Sequence, residues 1–133
     1  MTTVKAKKDG RFWAIHLFKL DLIPYRKVRE VAEVIDAALS EQINTPEMDD
    51  FLEAVKLEAA HQRERWERTD PHKTDADWYW LIGWLGRKAV TDPHDENETR
   101  TLEERRLHRI ITVAAAAYNW HQSAKARNRG SKP

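Results

Sequence analysis

The stretch TLEERRLHRIITVAAAAYNW, residues 101–120, has one regular solution. Thr101 followed three residues later by Glu104 is a capping box, in which a hydroxyl and a carboxylate satisfy the free N–H groups of a helix start. Leu107, Ile110, Ile111, Ala114, Ala117 and Tyr118 then recur at three- and four-residue intervals, the spacing of one helical face. The pattern predicts a helix over about 101–127. The preceding segments have the same grammar. Thr74-Asp75-Ala76-Asp77 opens a predicted helix over 75–91, and Thr45-Pro46-Glu47 opens one over 46–68, with proline at the first turn and an acid beside the positive end. In the 46–68 helix the apolar face is Met48, Phe51, Leu52, Val55, Ala59 and Trp66. A further helix is predicted over 25–43.

The punctuation agrees. Pro24, Pro46, Pro71 and Pro93 are almost evenly spaced, and Gly83 and Gly86 are the only glycines away from the ends. Such a chain reads as an all-α bundle of about four helices joined by short connections. Residues 12–23 fit both an extended segment and a helical one, and the extended form, packed on the helices, is preferred. The length suits a single domain over 1–133.

Composition excludes several classes. There is no cysteine, so no disulfide framework, thiolate metal site or cysteine nucleophile exists. No apolar run approaches a membrane span, and no signal-peptide pattern is present, so a cytoplasmic protein without a membrane partner is expected. The net charge of +1 conceals segregation. Lys5, Lys7, Lys8 and Arg11 stand near the start, and Lys125, Arg127, Arg129 and Lys132 near the end, around a net acidic body. Residues 1–11 and 125–133 are expected to be flexible, solvated basic tails, and any contact with nucleic acid is expected through them alone.

The 75–91 helix is unusual. Trp78, Tyr79, Trp80, Leu81, Ile82, Trp84 and Leu85 leave it almost no polar face before Arg87. It is either buried on several sides or meets another subunit, which points to a homodimer. Gly83 and Gly86 would let a neighbouring backbone approach closely.

Chemistry-bearing side chains concentrate between residues 58 and 77. Glu58, Gln62 and Trp66 are four apart on one helical stripe, with His61 and Arg65 beside it. Asp70, His72, Lys73, Asp75 and Asp77 follow in the next loop. A ligand or partner site is expected from Glu58, Gln62, Trp66, His72, Lys73, Trp84 and Arg87, with His108, Asn119 and His121 from the last helix. Asn119-Trp120-His121 offers an amide, an indole N–H and an imidazole that could read a base. The same residues also serve as caps, surface ion pairs and core histidines. Glu58, His72, Asp75 and Asp77 form an alternative metal set for Mg²⁺ or Mn²⁺, although no compact metal motif is present. The loop Asp92–Glu96, with His94, is a weaker second cluster.

Three runs resemble a small phage-type branch of the MazG-like all-α NTP pyrophosphatases: Gln62-Arg63-Glu64-Arg65-Trp66, Asp77-Trp78-Tyr79-Trp80-Leu81 with Gly86, and Ile111 to Trp120. The chain is also similar to uncharacterised phage and prophage proteins with a Trp-Leu-Gly-rich helix and an Asn-Trp-His ending. The MazG resemblance implies Mg²⁺ held by carboxylates on two helices. No acid occurs from Trp78 to Val90 or from Arg105 to Pro133, so none of that family's catalytic residues carries over. The expected function is non-catalytic binding of a nucleotide or a host protein on this scaffold. It would act as a phage or prophage accessory or anti-defence factor in a bacterial cell, without a cofactor. A divergent metal-dependent nucleotide pyrophosphohydrolase and a structural oligomerisation module are the alternatives.

Overall fold

The computed structural model describes residues 9–130 and is all-α, with no strand among the described residues. Five helices follow in order: α1 (Asp9–Lys19), α2 (Val28–Ile43), α3 (Pro46–Arg65), α4 (Asp75–Thr91) and α5 (Leu102–Gly130). The four predicted helices are α2 to α5. Residues 12–23 are not extended. They form most of α1 and its exit turn, because Gly10 and Ala14 give α1 a small-residue face that fits against α2. A Cβ on Gly10 would lie 2.2 Å from the Ala32 carbonyl oxygen, and the Gly10 N–H donates to Asp36 Oδ1 at 2.9 Å. Residues 9–11 and 125–130 belong to α1 and α5, while the rest of both basic ends lies outside the described residues.

The chain forms two compact units, divided after Asp50 in the second turn of α3. In the first, α1 closes on α2 and ends in a Schellman turn. The Leu22 and Asp21 N–H groups donate back to the Leu17 and Phe18 carbonyls, and Asp21 is left-handed at φ 59°.

The second unit holds the rest of α3, α4 and α5. The predicted caps form: Thr74 with Asp77, and Thr101 with Glu104, each accept the other's backbone N–H. α4 and α5 are antiparallel and tied at both ends. At one end Asp92, left-handed at the C-cap of α4, accepts two bonds from Arg105 at 2.8 and 2.7 Å and one from Arg109 at 2.7 Å. Arg106 and Arg109 also donate to the last α4 carbonyls, Ala89 and Lys88, both at 3.0 Å. Guanidiniums at a helix C-terminus meet both the free carbonyls and the negative dipole end. At the other end Asp75 accepts from Trp120 Nε1 at 2.8 Å and from Arg127.

The buried faces differ from the apolar stripes expected. α5 buries Arg105, Ala115, Ala116 and Asn119, while Leu107, Ile110 and Tyr118 stay largely exposed. On α3 only Ala59 is buried, and Met48, Phe51 and Leu52 are exposed. Short side chains allow closer backbones, and the polar members are satisfied by hydrogen bonds. Asn119 donates to the Ala59 carbonyl at 3.3 Å, and Gln62 donates to the Thr112 carbonyl at 3.1 Å. α4 is not buried all round either. Trp78 is 2% exposed, but Tyr79 and Trp80 are 64% and 72% exposed. Among the described residues, no atom outside the local helix lies within 4 Å of a Cβ added at Gly83 or Gly86, so none of them uses the space those glycines leave.

Candidate functional site

A cavity of about 420 Å³ opens in the second unit between α3, the 66–73 segment, α4 and α5. Three tryptophans, Trp66, Trp78 and Trp84, contribute to its walls. They arrive by different routes. Trp66 follows the last residue of α3, where its N–H still bonds the Gln62 carbonyl at 2.9 Å. Trp78, Leu81, Leu85 and Lys88 lie on one α4 stripe at intervals of three and four, and Trp84 stands beside it. α5 supplies His108 and Thr112, one turn apart.

Three cations reach the cavity, Arg65, Lys73 and Lys88, and each lies over an indole. Lys88 Nζ is 3.6 Å from the centre of the Trp84 ring. Lys73 Nζ is 4.5 Å from that of Trp78 and 5.9 Å from that of Trp66, and the Arg65 guanidinium lies 5.2 Å from Trp66. Such contacts are worth about 0.5–2 kcal/mol each. The carboxylates are Glu58 and Asp70. Asp70 is ion-paired to Lys73 at 2.5 Å, and Glu58 accepts a long bond from Gln62 at 3.4 Å. His61 completes the rim from α3. The indole N–H of Trp78 is the one buried side-chain polar atom without a hydrogen-bond partner among the described residues. An unpaired buried donor costs roughly 1–3 kcal/mol.

Six of the ten expected site residues line this cavity: Glu58, Gln62, Trp66, Lys73, Trp84 and His108. The other four do not. His72 is exposed in the short 3₁₀ turn Asp70–His72, and Arg87 points to solvent, its place taken by Lys88 one residue on. His121 is exposed and touches Gln122 at 3.5 Å. Asn119 is 5% exposed and serves as a strut. It donates to α3, and its Oδ1 accepts from Arg63 at 3.3 Å.

The alternative metal set is not assembled. Asp77 is occupied by the Thr74 cap, Asp75 by Trp120 and Arg127, and His72 faces away from the cavity that Glu58 lines. Among the described residues no three His, Asp or Glu side chains are grouped to hold a metal ion. The hydrogen bonds from Arg127 and Trp120 pull the Asp75 carboxyl below its ordinary pKa, and the Thr74 backbone N–H does the same for Asp77. The Asp92–Glu96 loop is likewise structural, with Asp92 held by arginines and Asp95 accepting from the Asn97 N–H at 2.8 Å.

Sequence reasoning missed Trp78 and Lys88 as members of the site, and placed Asp70 in the polar loop without assigning it to the site. The stripe Trp78, Leu81, Leu85, Lys88 was available as a signal, but an aromatic helix gives no internal clue to which tryptophan faces the cavity. No family model, curated protein or solved structure matches the chain. No helix of the described residues is long and apolar enough to cross a membrane.

Proposed function

We propose that this chain is a non-catalytic nucleotide-binding protein and that the tryptophan-lined cavity is its site. One observation carries the reading: three indoles and three cations meet in one cavity, each cation already resting on a ring. A nucleotide matches both halves of that arrangement. Its base stacks on an indole, and its phosphate draws Lys88 and Arg65 off the rings they cover. Glu58 lines the cavity as an acceptor for a polar edge of a base. The volume of about 420 Å³ lies within the roughly 300–1,000 Å³ of small-molecule sites. The sequence resemblance to MazG-type pyrophosphatases implies the same ligand class, and the resemblance to phage proteins, which supplies no activity, is consistent with an accessory or anti-defence role. The lack of acids along α4 beyond Asp77 and along α5 beyond Glu104 supports binding without turnover.

The test is calorimetric titration with nucleoside mono-, di- and triphosphates, with and without Mg²⁺, alongside an assay for released phosphate and pyrophosphate. Saturable binding without product is expected, and Trp84→Ala should weaken it at least tenfold while leaving the melting temperature within a few degrees. Metal-dependent product release would replace this reading with the hydrolase alternative. Absence of binding to every nucleotide would overturn it and turn attention to a protein partner.

A second reading concerns the opposite side of α4. Tyr79, Trp80 and Val90 are exposed there, and the surface at Gly83 and Gly86 is open. A second copy of the chain on this face would make the homodimer.

A further inference from the structure

We propose that the α1–α2 unit carries a separate site for a phosphate monoester with a small apolar body. A groove of about 550 Å³ runs between α1 and the start of α2, and three guanidiniums line it: Arg11 from α1, Arg26 from the 3₁₀ turn Tyr25–Lys27, and Arg29 from the first turn of α2. Its only carboxylate is Glu33, exposed and 3.6 Å from Arg29. Among the described residues Arg11 and Arg26 have no carboxylate partner, since the nearby Asp36 accepts from the Gly10 N–H and Glu30 pairs with Lys27 at 3.0 Å. Three guanidiniums against one carboxylate leave the groove two charges positive, the complement of a phosphate monoester dianion.

The placement concentrates positive charge, screened in part by solvent because the Arg29 side chain is 93% exposed. Like charges around one groove repel, and Arg26, Lys27 and Arg29 sit where the helix dipole of α2 is positive. A guanidinium presents a planar fork that binds phosphate oxygens in pairs, which three lysines would not do. The groove also has an apolar lining, from Ile15, Val28 and Ala32, flanked by the exposed ring of Tyr25. This surface gives no advantage to a bare inorganic anion and favours an ester whose organic part covers it.

Phenyl phosphate is the probe, titrated into the full chain while the arginine Nε–Hε resonances are followed by NMR. Saturable shifts at Arg11, Arg26 and Arg29 are expected, with inorganic phosphate binding several-fold more weakly. The double variant Arg26→Gln, Arg29→Gln should lose at least tenfold in affinity, and Arg11→Gln, on the other helix, should show a smaller loss in the same direction. Both should keep wild-type helicity by circular dichroism, because the substituted residues are exposed. Trp84→Ala should bind phenyl phosphate at these arginines as the wild type does. Shifts confined to residues of the tryptophan cavity, shifts that do not saturate, or unchanged affinity in both arginine variants would overturn the site. Equal affinity for inorganic phosphate would overturn the ester specificity.

Discussion

Asn119 illustrates how one residue type supports two opposite readings. Beside Trp120 and His121, its amide has the donors and acceptors to read a base, yet the fold turns it inward to Ala59, Gln62 and Arg63. Removing it takes one bond each from the Ala59 carbonyl, the Gln62 side chain and the Arg63 guanidinium, and opens a void at a buried position. Asn119→Ala should therefore cost about 1–3 kcal/mol in stability, seen as a fall of several degrees in melting temperature, with nucleotide affinity unchanged for the fraction that remains folded. A loss of affinity with no change in stability would return Asn119 to the site. Trp84→Ala is the mirror case, because Trp84 is half exposed and its removal takes a wall from the cavity rather than a strut from the core.

Helix α4 depends on its two ends more than on its apolar content. Its start was readable, because Thr74 and Asp77 form a local motif three residues apart. Its end was not, because Asp92 acquires its meaning only from Arg105 and Arg109, thirteen and seventeen residues away. The Arg105 hydrogen bonds, followed by the charges around it, hold the Asp92 carboxyl well below its ordinary value of 3.8, and Arg100 lowers Glu98 to about 2. A carboxyl with a depressed native pKa contributes stability above its unfolded value and loses it as pH falls towards the native one. The melting temperature should thus be flat from pH 7 to about 5 and fall steeply below about 4. Asp92→Asn should lower it by several degrees at pH 7 and flatten the acid limb, leaving the smaller Glu98 component. An acid limb of unchanged steepness in the variant would show that the pairing contributes no linkage. The same contrast explains the helix boundaries. Caps and prolines placed α3, α4 and the start of α5 within a few residues. The N-terminal helix α1 was obscured because Phe12, Trp13, Ile15, Leu17 and Phe18 have no single apolar face, and its register depends on Gly10 and Ala14 meeting α2.

For the molecule as a whole, the all-α class was legible because capping chemistry and helical spacing are local. Three of the six expected site residues that share the cavity were legible for a related reason: Glu58 and Gln62 lie one turn apart on α3, and Trp66 is one turn further on, just past its end. Those outside the cavity failed where a residue's direction depends on a distant neighbour, as with Arg87 against Lys88. The buried faces were misjudged because alanines and hydrogen-bonded polar groups displaced larger apolar residues from the contacts, leaving Tyr79, Trp80 and Val90 outside. If that surface joins two copies, sedimentation should give a dimer that Trp80→Glu converts to a monomer without loss of helicity. A wild-type chain that stays monomeric at high micromolar concentration would discard the dimer.

The two-ended tie between α4 and α5 also bears on how the chain can be divided. Asp92 with its arginines and Asp75 with Trp120 and Arg127 join the helices independently of the connecting loop. Peptide continuity between residues 94 and 97 is therefore redundant with the non-covalent links on either side. A chain split there is expected to give two fragments that co-elute at neutral pH and separate on acidification as Asp92 is discharged; fragments that elute apart at neutral pH would show that the ties need the loop.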